Sequence, residues 1–457
     1  MLNTLFVLPL EYWVACILLV AGFFWSAVNV KNGIGVPMAV VLATVSVWYM
    51  VDVIYNDYET TYMQMFPIEI LAVAWWQVII FLLVFLFFAP IFHFQINRRY
   101  LTSRSQIIKY FKTQSNDPEF QLNLTVLFRL VLSVWWGLLV VAIFRYQENV
   151  FFFLFPYLGK HPGPWLISGV GGGIQSLFAL ATNLHMLVGS VFGVIAALSR
   201  DKRVRRLALL GILLSWPLYF FDRTRSYILL IVIPGVLAWV FLRLRGGLLK
   251  KLVVLALVYM FINAWFGFII ATRVDGTITN AILDGKFSLM QASEEHHQGL
   301  NMFEELSWIV KITENGTFHP EIGENYFANL VNVIPRNFWP SKPTIGLDYA
   351  IARGLGDSGN DAGVAATLSE GLIGQGVVNF GVYWGSAFAA LLMSLWVCLL
   401  ARIDLMRGKI GYLPLFGLGL ILTFNLGRDI TFLSLYPFVF GYIILWWVNK
   451  RRKRKML

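Results

Sequence analysis

The sequence predicts an all-helical polytopic membrane protein with about eleven transmembrane helices. Three observations predict it. Of the 457 residues 58% are hydrophobic and only 13% are charged, with a mean hydropathy of +0.68, whereas soluble domains carry about a quarter charged residues. The apolar residues come in near-continuous runs of helix-spanning length. The basic residues gather in short blocks between alternate runs, as the positive-inside rule requires.

The runs fall near 10–29, 35–54, 69–92, 124–145, 173–198, 206–221, 226–242, 252–272, 377–401, 411–426 and 430–449. They do not alternate in hydropathy, which excludes a β-barrel. With the C-terminus cytoplasmic, the inner connections and inner span ends hold 25 of the 36 Lys and Arg. The tail 450–455, KRRKRK, holds six of them. An odd span count then puts the N-terminus outside. The organisation expected is spans 1–8 over residues 1–272, a large extracytoplasmic loop over 273–376, spans 9–11 over 377–449 and a basic cytoplasmic tail over 450–457. The loop is polar, with glycine clusters at 354–363 and 371–376. The stretch 98–112, RRYLTSRSQIIKYFK, has the pattern of a basic amphipathic helix lying on anionic lipid.

The net charge of +11 does not point to nucleic acid, because its distribution matches membrane topology. Cys16 and Cys398 both lie in apolar runs, so no disulfide framework is expected. The N-terminal MLNTLFVLPLEYW has no basic region and does not read as a cleaved signal peptide. P-loop, HExxH and GxSxG motifs are absent. No cytoplasmic connection is long enough for a nucleotide-sugar-binding domain.

Charges at membrane level are costly and default to functional hypotheses. Arg223 and Arg225 sit in a very short outer hairpin, DRTR, where retention on the inner side cannot explain them. Arg428 stands in the last outer hairpin, Gly427-Arg428-Asp429, where a local Arg–Asp pair is the plainer alternative. The long loop adds Arg273, Arg336 and Lys342, the last two within IPRNFWPSKP (334–343), whose prolines and aromatics would fix them. Guanidinium groups suit phosphate because they bind it as a fork. These cations are expected to hold a pyrophosphate, with Arg225, Arg336 and Arg428 converging on one cavity.

Two candidates stand for the catalytic base. His297 lies in SLMQASEEHHQGLNMFEELSWIVK (288–311), which has helical periodicity through Leu300, Phe303, Leu306 and Val310. Glu370 lies in TLSEGLIGQG just before a span, where partial burial would raise its pKa. Glu321 is expected to be a surface carboxylate with no such role. The stretch DSGNDAG (357–363) faintly resembles a calcium loop but has Leu368 where the twelfth-position Glu belongs, so no metal is expected.

Three patches carry a resemblance: T-R-S at 224–226, I-P-R-x-x-W-P-x-K-P at 334–343, and S-E-G-x-x-x-x-G-x-x-x-F-G at 369–381, with Arg428 before the last span. Together with the architecture, the sequence resembles the bacterial oligosaccharide repeat-unit polymerases, the Wzy or O-antigen polymerase family. The resemblance implies a GT-C-like fold in the bacterial inner membrane. It implies a metal-independent glycosyltransferase needing no cofactor, which moves a growing glycan from undecaprenyl pyrophosphate onto another lipid-linked oligosaccharide repeat unit. Expected partners are that lipid-linked oligosaccharide, membrane lipid, a chain-length regulator and a flippase. The related O-antigen ligases use a loop His followed by Asn. Here His297 is followed by Gln298, which weighs against a ligase. The competing readings are a ligase-like or other polyprenyl-phosphate-dependent glycosyltransferase, and a lipid-linked oligosaccharide transporter.

Overall fold

The computed structural model describes residues 7–101, 118–146, 149–156, 163–165, 175–221, 226–244, 247–275, 302–331, 334, 338–343, 345–354, 369–406, 411–430 and 432–456, some with backbone only. Among them every regular element is helical. The principal helices are α1 (Leu10–Val28), α2 (Gly35–Ile54), α3 (Ile68–Leu101), α4 (Pro118–Arg145), α5 (Gln175–Leu198), α6 (Lys202–Phe220), α7 (Ser226–Leu242), α8 (Leu248–Asp275), α9 (Met302–Glu314), α10 (Glu324–Val331), α11 (Leu372–Leu405), α12 (Tyr412–Leu426) and α13 (Phe432–Met456). A helix therefore occupies each of the eleven apolar runs. Among the described residues five of these helices are long and apolar enough to cross a membrane: α1, α2, Ile68–Arg99 of α3, Leu124–Arg145 of α4, and α11.

The way α1 is buried identifies its solvent. Its inward face is Tyr12, Ala15, Leu19, Gly22 and Ser26, largely small residues at helical spacing. Its outward face carries Leu10, Ile17, Val20 and Phe24, between 67% and 76% exposed. A soluble helix places its large apolar side chains inward. The reverse arrangement suits a helix whose outer face meets lipid.

The chain forms two compact units. The first comprises residues 1–104, 296–405 and 422–434, and the second 105–295, 406–421 and 435–457. In the first unit α3 and α11 form the main helix–helix interface, and α9 packs on both. Polar side chains stitch this interface. Ser386 Oγ donates to Gln77 Oε1 at 2.6 Å, and Asn97 Nδ2 donates to the Cys398 carbonyl at 3.0 Å. Such bonds hold helices together where apolar burial gives no net drive, each contributing roughly 0.6–2 kcal/mol. The aromatic centre is Trp75 against Phe303, ring centroids 4.1 Å apart, with Tyr62 edge-on to Phe303. In the second unit α5 packs on α4, α6 and α7. Gly235 of α7 meets the backbone of Gly193 on α5, and a Cβ there would lie 2.8 Å from it. Small residues at the crossing let the two backbones approach.

Within the long loop α9 continues the periodicity read from sequence, with Phe303, Leu306, Ile309 and Val310 all buried. Its N-terminus is held from far away. Asp52, buried in α2, accepts the Phe303 N–H through Oδ2 at 3.2 Å and the Asn56 amide through Oδ1 at 2.6 Å. A carboxylate at this position satisfies an orphan donor of the first turn and complements the helix dipole.

The end of the loop departs from the sequence reading. Residues 371–376 were expected to be glycine-rich loop, with the span beginning at 377. The structure starts α11 at Leu372 and breaks it at Gly381 (φ 72°, ψ 177°). Only glycine populates that backbone region. Residues 372–380 thus form a short buried arm that lies against the rest of α11. Gly376 and Gly385 meet backbone to backbone, where a Cβ on Gly376 would sit 2.2 Å from the Gly385 carbonyl oxygen. Gly376, read as a loop signal, lets the two arms touch, while Gly371 and Gly374 admit Tyr49 and Ile309.

Candidate functional site

The short arm of α11 begins at a cluster of carboxyl groups, all in the first unit. Its first N–H groups are satisfied from three directions. Leu372 N–H donates to the Gly427 carbonyl at 3.0 Å, and Ile373 N–H to the Tyr49 hydroxyl at 2.9 Å. Immediately before it, Glu370 N–H donates to Asp429 Oδ1 at 2.8 Å. The loop 369–371 is thereby clamped between α2 and the hairpin after α12.

Glu370 is only 2% exposed. Its Oε1 accepts the Asn325 amide at 2.7 Å, and among the described residues its Oε2 has no hydrogen-bond partner. Asn325 sits on α10 and is itself held. Its Oδ1 accepts Asn329 Nδ2 at 3.0 Å and Gln375 Nε2 at 3.3 Å. Gln375 Oε1 in turn accepts the Ile430 N–H at 2.8 Å, and Asn379 Oδ1 accepts the Tyr326 N–H at 3.2 Å. The amides of α10 and the short arm form one network under the carboxyl groups. Polar residues at i and i+4 on α10 (Asn325, Asn329) face inward, while Phe327 and Leu330 are exposed.

Burial, reinforced by the Asp429 and Glu321 carboxylates, holds Glu370 well above the ordinary carboxylate range, with the Asn325 amide opposing. Asp429 is pushed up to about 6 by burial, against the Ser369 hydroxyl, the Glu370 and Gly371 N–H groups and the Arg428 charge. Glu321 is pushed up to about 7, again chiefly by burial and then by Asp348 and Glu324. The expectation that Glu321 is an indifferent surface carboxylate is corrected here. Its backbone N–H donates to the Val378 carbonyl at 3.0 Å, so the start of α10 docks on the short arm and carries the side chain inward. Glu370 is likewise more enclosed than the partial burial read from sequence.

Arg428 is exposed, and its Nε and Nη2 both donate to Ser369 Oγ, at 3.0 and 2.7 Å. Ser369 hydrogen-bonds in turn to Asp429. The neighbours Arg428 and Asp429 therefore grip the same segment, one by the Ser369 hydroxyl and the other by the Glu370 backbone. A surface guanidinium is linked through one hydroxyl to the half-buried Asp429 and, through it, to the backbone of the buried Glu370. Lys342 is 5% exposed, and its ammonium donates to the Ile334 carbonyl at 3.0 Å. Arg273 lies near the end of α8, but its side chain is outside the described residues. Arg223, Arg225, Arg336 and His297 are outside them too, and so is the stretch 357–363. Of the three arginines expected to converge, only Arg428 is described. Among the described residues no three His, Cys, Asp or Glu side chains gather to hold a metal ion.

A second charged group lies on α9. Glu305 is buried, accepts the Tyr349 hydroxyl and pairs with Arg353 Nη2 at 3.5 Å. The Arg353 guanidinium lies 4.0 Å over the Trp308 ring and the Lys311 ammonium 4.5 Å from it. Sequence reading missed Ser369, Asn325 and Asp52. Asp52 carried the plainest signal, a lone carboxylate inside the apolar run VWYMVDVIY. Ser369 stood in the S-E-G patch without a role of its own, and Asn325 carried no signal.

Fold and site together define a helical, membrane-embedded protein in which a buried Glu370 and the half-buried Asp429 lie beside an exposed arginine. No protein-family model, curated protein or solved structure matches the chain.

Proposed function

We propose that this protein is a membrane glycosyltransferase of the bacterial inner membrane that polymerises undecaprenyl-pyrophosphate-linked oligosaccharide repeat units into a surface polysaccharide at the outer face. One observation carries the reading. Ser369 and Glu370, from the S-E-G patch, meet the last hairpin, Ser369 through the Arg428 guanidinium and Glu370 through Asp429, although 59 residues separate each pair in sequence. These are two of the features on which the family resemblance rests, and they form a single constellation.

The chemistry fits the parts. Transfer from a pyrophosphate needs a fixed cation where charge develops on the leaving phosphate. Arg428 offers a permanent planar charge and keeps donors beyond the two spent on Ser369. The acceptor hydroxyl needs a base whose pKa lies near the working pH. Burial raises the pKa of Glu370 above the ordinary carboxylate range, the direction that makes a carboxylate more basic. Asp429 and Ser369 fix the Glu370 backbone and the Arg428 guanidinium, and act as positioning residues.

The test is incubation of the purified protein with a synthetic undecaprenyl-pyrophosphate repeat unit. A ladder of products is expected. Glu370→Gln, nearly isosteric and able to keep the Asn325 bond in part, should retain the fold and lose the ladder. A second reading is a lipid-linked oligosaccharide transporter, favoured by the helix broken at Gly381 beside buried carboxyl groups, an arrangement that transporters use. Movement of intact substrate across a vesicle membrane, with no new covalent product, would replace the first reading by the second.

A further inference from the structure

In the second unit, α4, α5, α12 and α13 leave a partly open cavity of about 130 Å³ between them. Its walls come from Val131 of α4, Leu187 of α5, Leu415 of α12 and Phe440 and Ile444 of α13, and every lining residue is apolar or glycine. The cavity exists partly because Gly441 withholds a side chain: a Cβ there would lie 3.1 Å from Leu415 Cδ1. With no polar group in its walls it holds no sugar, peptide or ordered water. What fits is a hydrocarbon chain.

The same face of α13 continues to a cationic end. Phe440, Ile444, Trp447 and Arg451 fall at i, i+4, i+7 and i+11, one stripe along the helix. The Arg451 guanidinium lies 3.5 Å over the Trp447 ring, and the Lys450 ammonium 4.7 Å from the Trp446 ring. Both tryptophans are about half exposed, at 49% and 47%. Paired aromatics capped by cations mark the headgroup level of a bilayer. Seven residues separate Ile444 from Arg451, roughly 10 Å along the helix. That is the distance from the upper carbons of an acyl chain to its phosphate.

We propose that this groove is a binding site for an anionic phospholipid, with one acyl chain between α4, α5, α12 and α13 and the phosphate at Arg451 and Lys450. Two adjacent cations select a lipid of net negative charge over a zwitterionic one of the same chain length. Cations near a membrane surface contribute roughly 1 kcal/mol each, so the expected preference is about tenfold or more. The inference is independent of the proposed enzymatic reaction.

The full chain, purified in detergent, is titrated with phosphatidylglycerol or phosphatidylcholine of identical acyl chains, and bound lipid is counted by native mass spectrometry. One phosphatidylglycerol should be retained, at about tenfold lower concentration than phosphatidylcholine. Arg451→Gln should reduce the preference to a few-fold, and Arg451→Gln with Lys450→Gln should abolish it while leaving the weaker binding. Ile444→Trp, which fills the groove, should remove both. Because that variant could fail to fold, phosphatidylglycerol with a photoreactive acyl chain is also cross-linked to the unaltered protein, where labels are expected on the α4, α5 and α12 walls. Equal binding of the two lipids, retention by a folded Ile444→Trp, or labels elsewhere would each overturn the proposal. So would displacement of phosphatidylglycerol by an equal concentration of polyprenyl phosphate, which would make the groove a seat for a substrate tail.

Discussion

The guanidinium of Arg428 spends two donors, Nε and Nη2, on the single hydroxyl oxygen of Ser369, at 3.0 and 2.7 Å. A lysine has the charge but cannot place two donors at fixed spacing on one acceptor. The fork orients the guanidinium, and the Ser369 hydroxyl passes that orientation to Asp429 and hence to the backbone of Glu370.

For the proposed polymerisation, Arg428→Lys should therefore reduce the rate despite the retained charge. Loss of charge-assisted contacts at roughly 1.5–3 kcal/mol corresponds to about one to two decades in rate. Ser369→Ala should lower the rate less and leave substrate affinity close to normal, because it frees the guanidinium without removing it. Rates measured with the lipid-linked repeat unit decide this. An Arg428→Lys enzyme with full activity would remove Arg428 from the site.

Two half-buried carboxyl groups make stability depend on pH. Asp429 and Glu321 have folded-state pKa values raised to about 6 and about 7, against roughly 4 for exposed carboxyls. The folded protein then binds more protons than the unfolded chain across this window. Stability is fully present below about pH 4 and is lost as pH rises through 6 to 7. Thermal denaturation in detergent should show a higher midpoint at pH 5 than at pH 8. Glu321→Gln, which cannot ionise, should flatten the upper part of that slope. A midpoint that rises with pH would contradict the assignment.

Asp52 supports α9 from 251 residues away by accepting the Phe303 N–H. Asp52→Ala leaves that donor and the Asn56 amide without their acceptor in a buried place. An unsatisfied buried donor costs roughly 1–3 kcal/mol. Asp52→Asn retains an acceptor oxygen and should cost less. Hydrogen exchange should show earlier opening of 302–305 in Asp52→Ala, with α4 unaffected. Unchanged protection of Phe303 would mean that the first turn of α9 is held by something else.

Gly381 joins the two arms of α11 with a backbone conformation open only to glycine, and a Cβ would also meet Pro320 Cγ at 3.2 Å. Gly381→Ala should cost on the order of 1–3 kcal/mol and loosen the Glu370 loop. Gly137 in α4 has nothing within 4 Å of its would-be Cβ. Gly137→Ala should be neutral or stabilise by roughly 0.5–1 kcal/mol, from helix propensity alone. Paired melting curves test both, and equal midpoints for the two variants would refute the strained hairpin.

The sequence by itself determined where the helices lie. Apolar runs such as 226–242 and 430–449 do contain helices, Ser226–Leu242 and Phe432–Met456, because a run of apolar residues must satisfy its backbone within itself. The periodicity of α9 was legible for the same reason: Phe303, Leu306 and Val310 recur with the helix repeat. Glu370 and Arg428 stood out because charge beside an apolar run is costly. What those charges touch was decided only by tertiary structure. Ser369 is an ordinary serine until the hairpin after α12 brings Arg428 and Asp429 against it. Asn325 is an ordinary helix residue until α10 docks on the short arm. Gly376 resembles a loop glycine until the fold at Gly381 presses its backbone against Gly385, and Gly374 until Ile309 of α9 packs against it. Hydropathy is a property of each segment alone, whereas a hydrogen-bond partner 45, 59 or 251 residues away depends on how segments pack, and no local pattern encodes it.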